Sequence, residues 1–531
     1  MHSVANPASR GQPDRRPPRR RASCLGSALP LWLLAVLAWP VAARGEPALS
    51  AAAAEKLAQR SFGEYLALLA LPDDAIQPAD IQRNVEFLER AFRQRGFTTR
   101  QLTGPGRPML YAEWPKPAPG ARTVLFYLHL DGQPVVDSEW SQPSPWQPVV
   151  KQRGASGAWE VVSSDRLQAV PLDPELRVFA RAASDDKAPI MMFLAAVDGL
   201  AELGRAPAIG VKVLIDGEEE KGSPSIGAVA AANRDLLRCD ALVVLDGPRH
   251  LSERPTLVFG NRGSARVTLT VYGPRQPLHS GHFGNYVPNP ALRLARLLAS
   301  MKDDQGRVTI RGYYDRVHLT AAEKKALADT GDDEAEIRRR AGIRTAERVG
   351  GSLQEALQFP SLNVRGMAAA SIGDKASNVI PHQATAELDL RSTPETPPEY
   401  LFGLIRAHVA AQGYHLVDGP PSDDDRAAHD KLATLTLGAH SRASRTPLDA
   451  PIGAWAAGAL QSASARGAPV RIRMSGGTVP TDRLVEVLGV QSIAVALVNG
   501  DNNQHAFDEN MRIGHYVEGI QALASLLLRP Y

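Results

Sequence analysis

The chain has 531 residues, 44% hydrophobic and 22% charged, with a formal net charge of +3. That length exceeds one ordinary core, so at least two domains are expected, and the composition is that of a soluble globular protein. No basic stripe interleaved with aromatics supports nucleic-acid binding.

Residues 1–45 read as an export leader. Arg10, Arg15, Arg16, Arg19, Arg20 and Arg21 form a basic region, Leu25–Leu37 is apolar, and Val41-Ala42-Ala43 fits a small-residue cleavage site. The apolar run is shorter than the ~20 residues of a membrane span, so a cleaved signal is favoured over an anchor, with no stable span afterwards. A secreted or periplasmic location follows. Residues 1–43 carry six Arg and one acid, Asp14, so their removal takes the charge from +3 to about −2. Cys24 falls in the leader, which leaves Cys239 as a buried thiol without a partner.

From Ser50 to Arg95 apolar residues recur at helical intervals, interrupted by Pro72 and Pro78. From Leu110 to Asp246 strands alternate with helices, the pattern of a parallel sheet with crossover helices. The segment Gln133–Ser164, rich in Trp, Pro and Ser, reads as a long loop. After Gly263 strands with one exposed face (Ala265–Tyr272, Ala384–Arg391) flank the helix Asn289–Met301 and the charged helical stretch Leu319–Gly350. This predicts a small α+β domain inserted over 264–393, between catalytic segments 46–263 and 394–531. Asp423-Asp424-Asp425 reads as an exposed loop.

Four apolar runs end in residues able to bind or activate a metal. Thr123–Leu128 leads to His129 and Asp131, Val211–Ile215 to Glu218-Glu219-Glu220, Ala241–Leu245 to Asp246, and Ile493–Val498 to a polar loop ending in His505. Asp185 opens the helical stretch Ala188–Leu203. Each alone also suits a structural role: a satisfied His, an N-capping Asp, an exposed acidic turn. In an α/β sheet, however, ligands gather at the carboxyl ends of the strands. Two His and three carboxylates brought together there supply two metals, with a further Glu as general base on an activated water. Mixed N/O donors without Cys favour zinc, with manganese or cobalt as alternatives.

At this point the sequence resembles the M20 family of metallopeptidases. The motifs are His129-Leu130-Asp131-Gly132-Gln133-Pro134-Val135, Ser184-Asp185-Asp186-Lys187, Glu219-Glu220-Lys221-Gly222-Ser223, Leu278-His279-Ser280-Gly281, Ser475-Gly476-Gly477-Thr478 and His505-Ala506-Phe507-Asp508-Glu509-Asn510. The dipeptidase branch fits best, on Gln133-Pro134-Val135, Trp140 with Trp146-Gln147-Pro148, and Gly312-Tyr313-Tyr314-Asp315. The resemblance implies an α/β fold: a mixed-sheet zinc-peptidase catalytic domain with an inserted α+β lid and dimerisation domain, and hence a homodimer. It implies two divalent ions, with Asp185 bridging, His129 and Asp246 on one and Glu220 and His505 on the other. Glu219 becomes the general base and Asp131 orients His129, while Glu218 drops out as structural. His279 stabilises the oxyanion from the partner subunit. Arg391 takes the substrate carboxylate, with Asn378, Gly476, Gly477 and Thr478 as further substrate contacts. Three departures stand out: Ala180-Arg181-Ala182 where the family has Gly-Arg-Gly, Lys187-Ala188 where it has Lys-Gly, and Gly132 where Val is common.

The implied activity is hydrolysis of dipeptides or short peptides with a free C-terminal carboxylate. The alternative within the family is an N-acyl-amino-acid amidohydrolase or a carboxypeptidase. A non-catalytic exported binding protein is the reading from another class, but a binder has no use for Glu219.

Overall fold

A computed structural model describes residues 48–531 except 116, 118 and 478. The leader expected over 1–45 and the substrate contact expected at Thr478 lie outside the described residues.

The larger sheet has eight strands, in the order Thr98–Leu102, Met109–Glu113, Gly210–Asp216, Thr123–His129, Ala241–Val244, Ser492–Ala496, Thr256–Val258, Val470–Ile472. The four central strands, from Gly210–Asp216 to Ser492–Ala496, run parallel. They are β-rich apolar runs because both faces are covered. Val124, Phe126 and Leu128 pack into one core with the helices Ala51–Leu69, Lys187–Glu202, Pro451–Ala463 and Ile513–Leu528. Leu125 and Tyr127 point the other way, onto Ile226–Ala232 and Asp482–Leu488. Parallel central strands place all four carboxyl ends on one edge, and every predicted metal ligand lies there or in the turn before Lys187–Glu202.

The second sheet has five strands: Ser361–Ala368, Gln383–Ser392, Gly263–Tyr272, Leu432–Ser441 and His415–Leu416. One face packs on the helices Pro290–Ala299 and Pro398–Ala411. The insert predicted over 264–393 is therefore too short. Strand Leu432–Ser441 pairs along the length of Gly263–Tyr272, so the smaller layer runs from 263 to about 441. The segment Gln133–Ser164 is also not a plain loop. Val149–Arg153 and Trp159–Val162 form a hairpin in a four-stranded sheet with Arg177–Phe179 and Asn510–Arg512. Cys239, expected buried, is partly exposed. Asp423-Asp424-Asp425 starts a short exposed helix capped by Ser422. Among the described residues no helix is long and apolar enough to cross a membrane.

Candidate metal centre

His129 ends its strand and is fully buried. Its Nε2 lies 3.0 Å from Asp185 Oδ1, and its Nδ1 lies 3.0 Å from the Asp131 carbonyl oxygen, to which a proton on Nδ1 would be donated. Asp185 Oδ2 faces His505 Nε2 at 3.1 Å, and that nitrogen is 3.4 Å from Glu220 Oε1. Two donor groups result, His129–Asp185–Asp246 and Asp185–Glu220–His505, each with its ligand atoms within 4.8 Å of one another. Asp185 is common to both and offers one oxygen to each side, the arrangement of a bridging carboxylate.

The electrostatics suit cations. Burial, then the Asp185 charge, pushes the Glu220 carboxyl up to about 8 and that of Asp246 up to about 6. Burial likewise drives Glu219 well above the usual carboxylate range, with Asp246, Glu220 and Asp185 adding repulsion. Asp185 goes the other way: burial opposes its charge, but hydrogen bonds from His129 and His505 hold it below the usual range. Four carboxyl groups crowded around two imidazoles form a costly arrangement that divalent cations reverse. The donors are hard oxygens and imidazole nitrogens, and they fit such ions.

The supporting residues show how the chain holds this shape. Asp131 turns its carboxylate oxygens to the backbone N–H of Glu219 (2.9 Å) and Glu220 (3.0 Å), which fixes the short turn Glu219–Lys221. Its nearer oxygen is 3.6 Å from His129 Nδ1. The histidine is therefore steadied by the Asp131 carbonyl more closely than by the carboxylate the sequence pointed to. Gln133 donates to Glu220 Oε2 (2.6 Å) and Gln504 to Asp185 Oδ2 (3.2 Å). Glu218 accepts from the N–H groups of Arg107 and Ser225, away from the ligands, as its structural assignment requires.

Glu509 is the residue that sequence reasoning passed over. Its buried carboxylate accepts from the N–H groups of Ala182 (3.0 Å), Ser184 (2.9 Å) and Asp185 (3.0 Å), from Ser184 Oγ (3.0 Å), and from Arg181 Nη1 (2.8 Å). All five partners are donors, so Glu509 binds them as the anion. Its signal was its place four residues after His505 in the last motif. Lys187 pairs with Asp73 at 2.7 Å, both fully buried, and donates to the Leu68 carbonyl at 3.0 Å, and so ties the start of helix Lys187–Glu202 to the first helix and the turn after it.

Two of the departures have local consequences. Ala182 sits at φ 57°, a left-handed conformation that glycine adopts without penalty and alanine at a cost of about 1 kcal/mol. Its N–H bond to Glu509 offsets that strain. At Gly132 a Cβ would meet Asp73 Oδ1 at 2.7 Å, so the close approach of Asp73 excludes the valine.

Asp185, Glu219, Glu220, Asp246 and His505 line a cavity of about 1620 Å³, with Arg391, Gly476 and Gly477 on its other walls. His279 and Asn378 are absent from it. They sit together on an exposed two-stranded ribbon, where Ser280 N–H donates to the Asn378 carbonyl at 2.9 Å. The chain thus does not bring its own His279 to the ligands.

Residues 125–529 match the profile of peptidase family M20/M25/M40. The chain belongs to this family. It is similar to the Cys-Gly metallodipeptidase of Candida albicans, at 23% identity over 89% of this chain and 95% of that protein. It is also similar to the mouse Beta-Ala-His dipeptidase, at 24% identity over 79% of each. Among solved structures, an M20 family metallo-carboxypeptidase from Sulfolobus solfataricus superposes with TM-score 0.71 at 25% identity, covering 88% of this chain and 98% of that one. Human carnosine dipeptidase 1 superposes with TM-score 0.67 at 21% identity, covering 89% and 97%. This M20 peptidase is a metal-dependent hydrolase with a mixed α/β fold.

Proposed function

We propose that this M20 peptidase is a dinuclear dipeptidase, acting on dipeptides or short peptides with a free C-terminal carboxylate. The observation that carries the reading is Asp185, which presents one oxygen to His129 and the other to His505, in a cavity that also contains Arg391. When bound there, a pair of divalent ions, proposed to be zinc, supplies charge neutralisation, a polarised carbonyl and an acidified water.

The chain's own residues do the rest. Arg391 fixes the substrate carboxylate, for which a guanidinium fork is suited. That orients the scissile amide toward Glu219. A Glu219 carboxylate oxygen takes a proton from the attacking water and returns it to the leaving amine nitrogen. A raised proton affinity suits this role, and burial supplies it. Asp131 keeps Glu219 and Glu220 in register through their N–H groups.

We also propose that the active unit is a homodimer in which the partner's copy of the exposed ribbon brings its oxyanion-binding histidine to this cavity. Support comes from His279 lying away from its own cavity, and from exposed apolar side chains on the same insert, Tyr286 (87%) and Ile372 (89%). Export directed by the arginine-rich leader remains part of the proposal.

A carboxypeptidase is the second reading, favoured by the likeness to the Sulfolobus structure. The test is a substrate panel of free dipeptides, longer peptides and N-acetyl amino acids. Preferred cleavage of dipeptides supports the reading. Exclusive cleavage of N-acetyl amino acids overturns it.

A further inference from the structure

The cavity has a second charged wall, opposite in sign to the first. It is the face of the five-stranded sheet turned away from its helices. Antiparallel register sets Arg266 directly across from Asp389, and Asp389 across from Asn363 on the other side. Arg391 lies two residues beyond Asp389, on the same face. Arg365 sits at the bulge between Val364 and Gly366 and flanks Asp389 from that side. Arg266, Arg365, Asp389 and Arg391 all line the cavity.

The charges here do not balance. Asp389 is bonded to Arg391, with Nε to Oδ2 at 3.2 Å. Arg266 and Arg365 are exposed and make no ion pair or side-chain hydrogen bond among the described residues. Beside this wall, burial, then the Arg391 charge, pushes the Arg262 guanidinium down to about 10. Among the residues that line the cavity here, three clustered cations face one acid, Asp389; Glu387, two residues before it on the same face, lies outside that lining and accepts from Thr268 Oγ1 at 2.9 Å. The clustered cations repel one another, a cost an anionic ligand removes. Diagonal positions on adjacent strands lie ~7–8 Å apart, within reach of long side chains. Arg266 and Arg391 stand in that relation, since Arg391 pairs with Ser264 and Arg266 with Asp389. The span matches two carboxylates on one amino acid, the α-carboxylate on Arg391 and the side-chain carboxylate beyond it.

We propose that Arg266 and Arg365 form a specificity subsite for a second carboxylate, so that the preferred substrate ends in an acidic residue, glutamate or aspartate. The inference rests on the dipeptidase reading, in which Arg391 holds the C-terminal carboxylate.

The test compares isosteric pairs, Ala-Glu with Ala-Gln and Ala-Asp with Ala-Asn, on the full metal-loaded enzyme. A charge-assisted hydrogen bond gives the acidic member a roughly ten- to hundred-fold higher kcat/KM. A binding readout accompanies it: free glutamate should inhibit more strongly than glutamine by a similar factor. In the double variant Arg266→Gln/Arg365→Gln both ratios should fall toward one, and Arg266→Glu should push them below one. Both positions are exposed, so folding is expected to survive. Wild-type ratios near one, or a preference that survives the double variant, overturn the subsite. If dipeptides are not cleaved but N-acetyl amino acids are, the dipeptidase reading fails separately, and N-acetylglutamate against N-acetylglutamine then decides the subsite by the same ratio.

Discussion

Glu509→Gln perturbs the centre while leaving every proposed ligand side chain in place. The carboxylate holds five donors, three of them backbone N–H groups from Ala182 to Asp185. Glutamine keeps the volume and one acceptor oxygen but turns an amide donor toward the others. Arg181, paired with Glu509 and buried, loses its counter-charge. Breaking a buried ion pair from one side costs about 3–5 kcal/mol, and hydrogen bonds to a charged group are worth about 1.5–3 kcal/mol each. The two overlap, so a loss of about 3–5 kcal/mol is expected for the whole substitution. The turn that presents Asp185 should loosen with it, weakening metal affinity by roughly 10–100-fold, the usual effect of losing an outer support of a ligand. Chemical denaturation gives the first number and competition with a chelating indicator the second. Stability within about 0.5 kcal/mol of wild type, together with unchanged metal affinity, would refute the role assigned to Glu509.

Glu219→Gln should keep its metals and lose turnover by about 10²–10⁴-fold, read by metal analysis and steady-state kinetics; full activity would move the base elsewhere. His515 is buried, with both ring nitrogens lacking a partner among the described residues. Burial, then the charges of Arg249, Arg512 and Arg466, pushes its pKa down to about 2. An unfolded histidine titrates near ~6.5, so between there and about 2 the unfolded chain holds the extra proton. Stability conferred by neutral His515 is therefore complete above ~6.5 and falls by about 1.4 kcal/mol per unit below it, roughly 2 kcal/mol by pH 5. Denaturation of His515→Phe at pH 7.5 and pH 5 should lack this slope, and an unchanged slope would refute the assignment.

The clustered donor groups were legible because four of the five follow runs whose pattern already marks them as buried strands, whereas Asp185 opens a helix. Parallel pairing of those strands then carries His129, Glu220, Asp246 and His505 to one edge without further information. The end of the insert was not legible. Leu432–Ser441 alternates only in its first half, and its partner Gly263–Tyr272 lies some 170 residues earlier, so pairing rather than local pattern defines it. Glu509 stood in the last motif, but its role was not legible there. Its importance lies in backbone donors of a distant turn, and a single acidic residue in a polar loop carries no trace of them. The acidic triplet shows both cases: Glu219 and Glu220 face the site, whereas Glu218 serves its own turn, and adjacency in sequence does not distinguish them.

The proposed dinuclear centre bridged by Asp185 is tested most directly by metal counting on purified protein, wild type beside Asp246→Ala, Glu220→Ala and Asp185→Ala. The account predicts about two divalent ions per wild-type chain, about one in each of the first two variants, and close to none in the third. One ion or none in a fully active wild type, or two ions retained without Asp185, would contradict it.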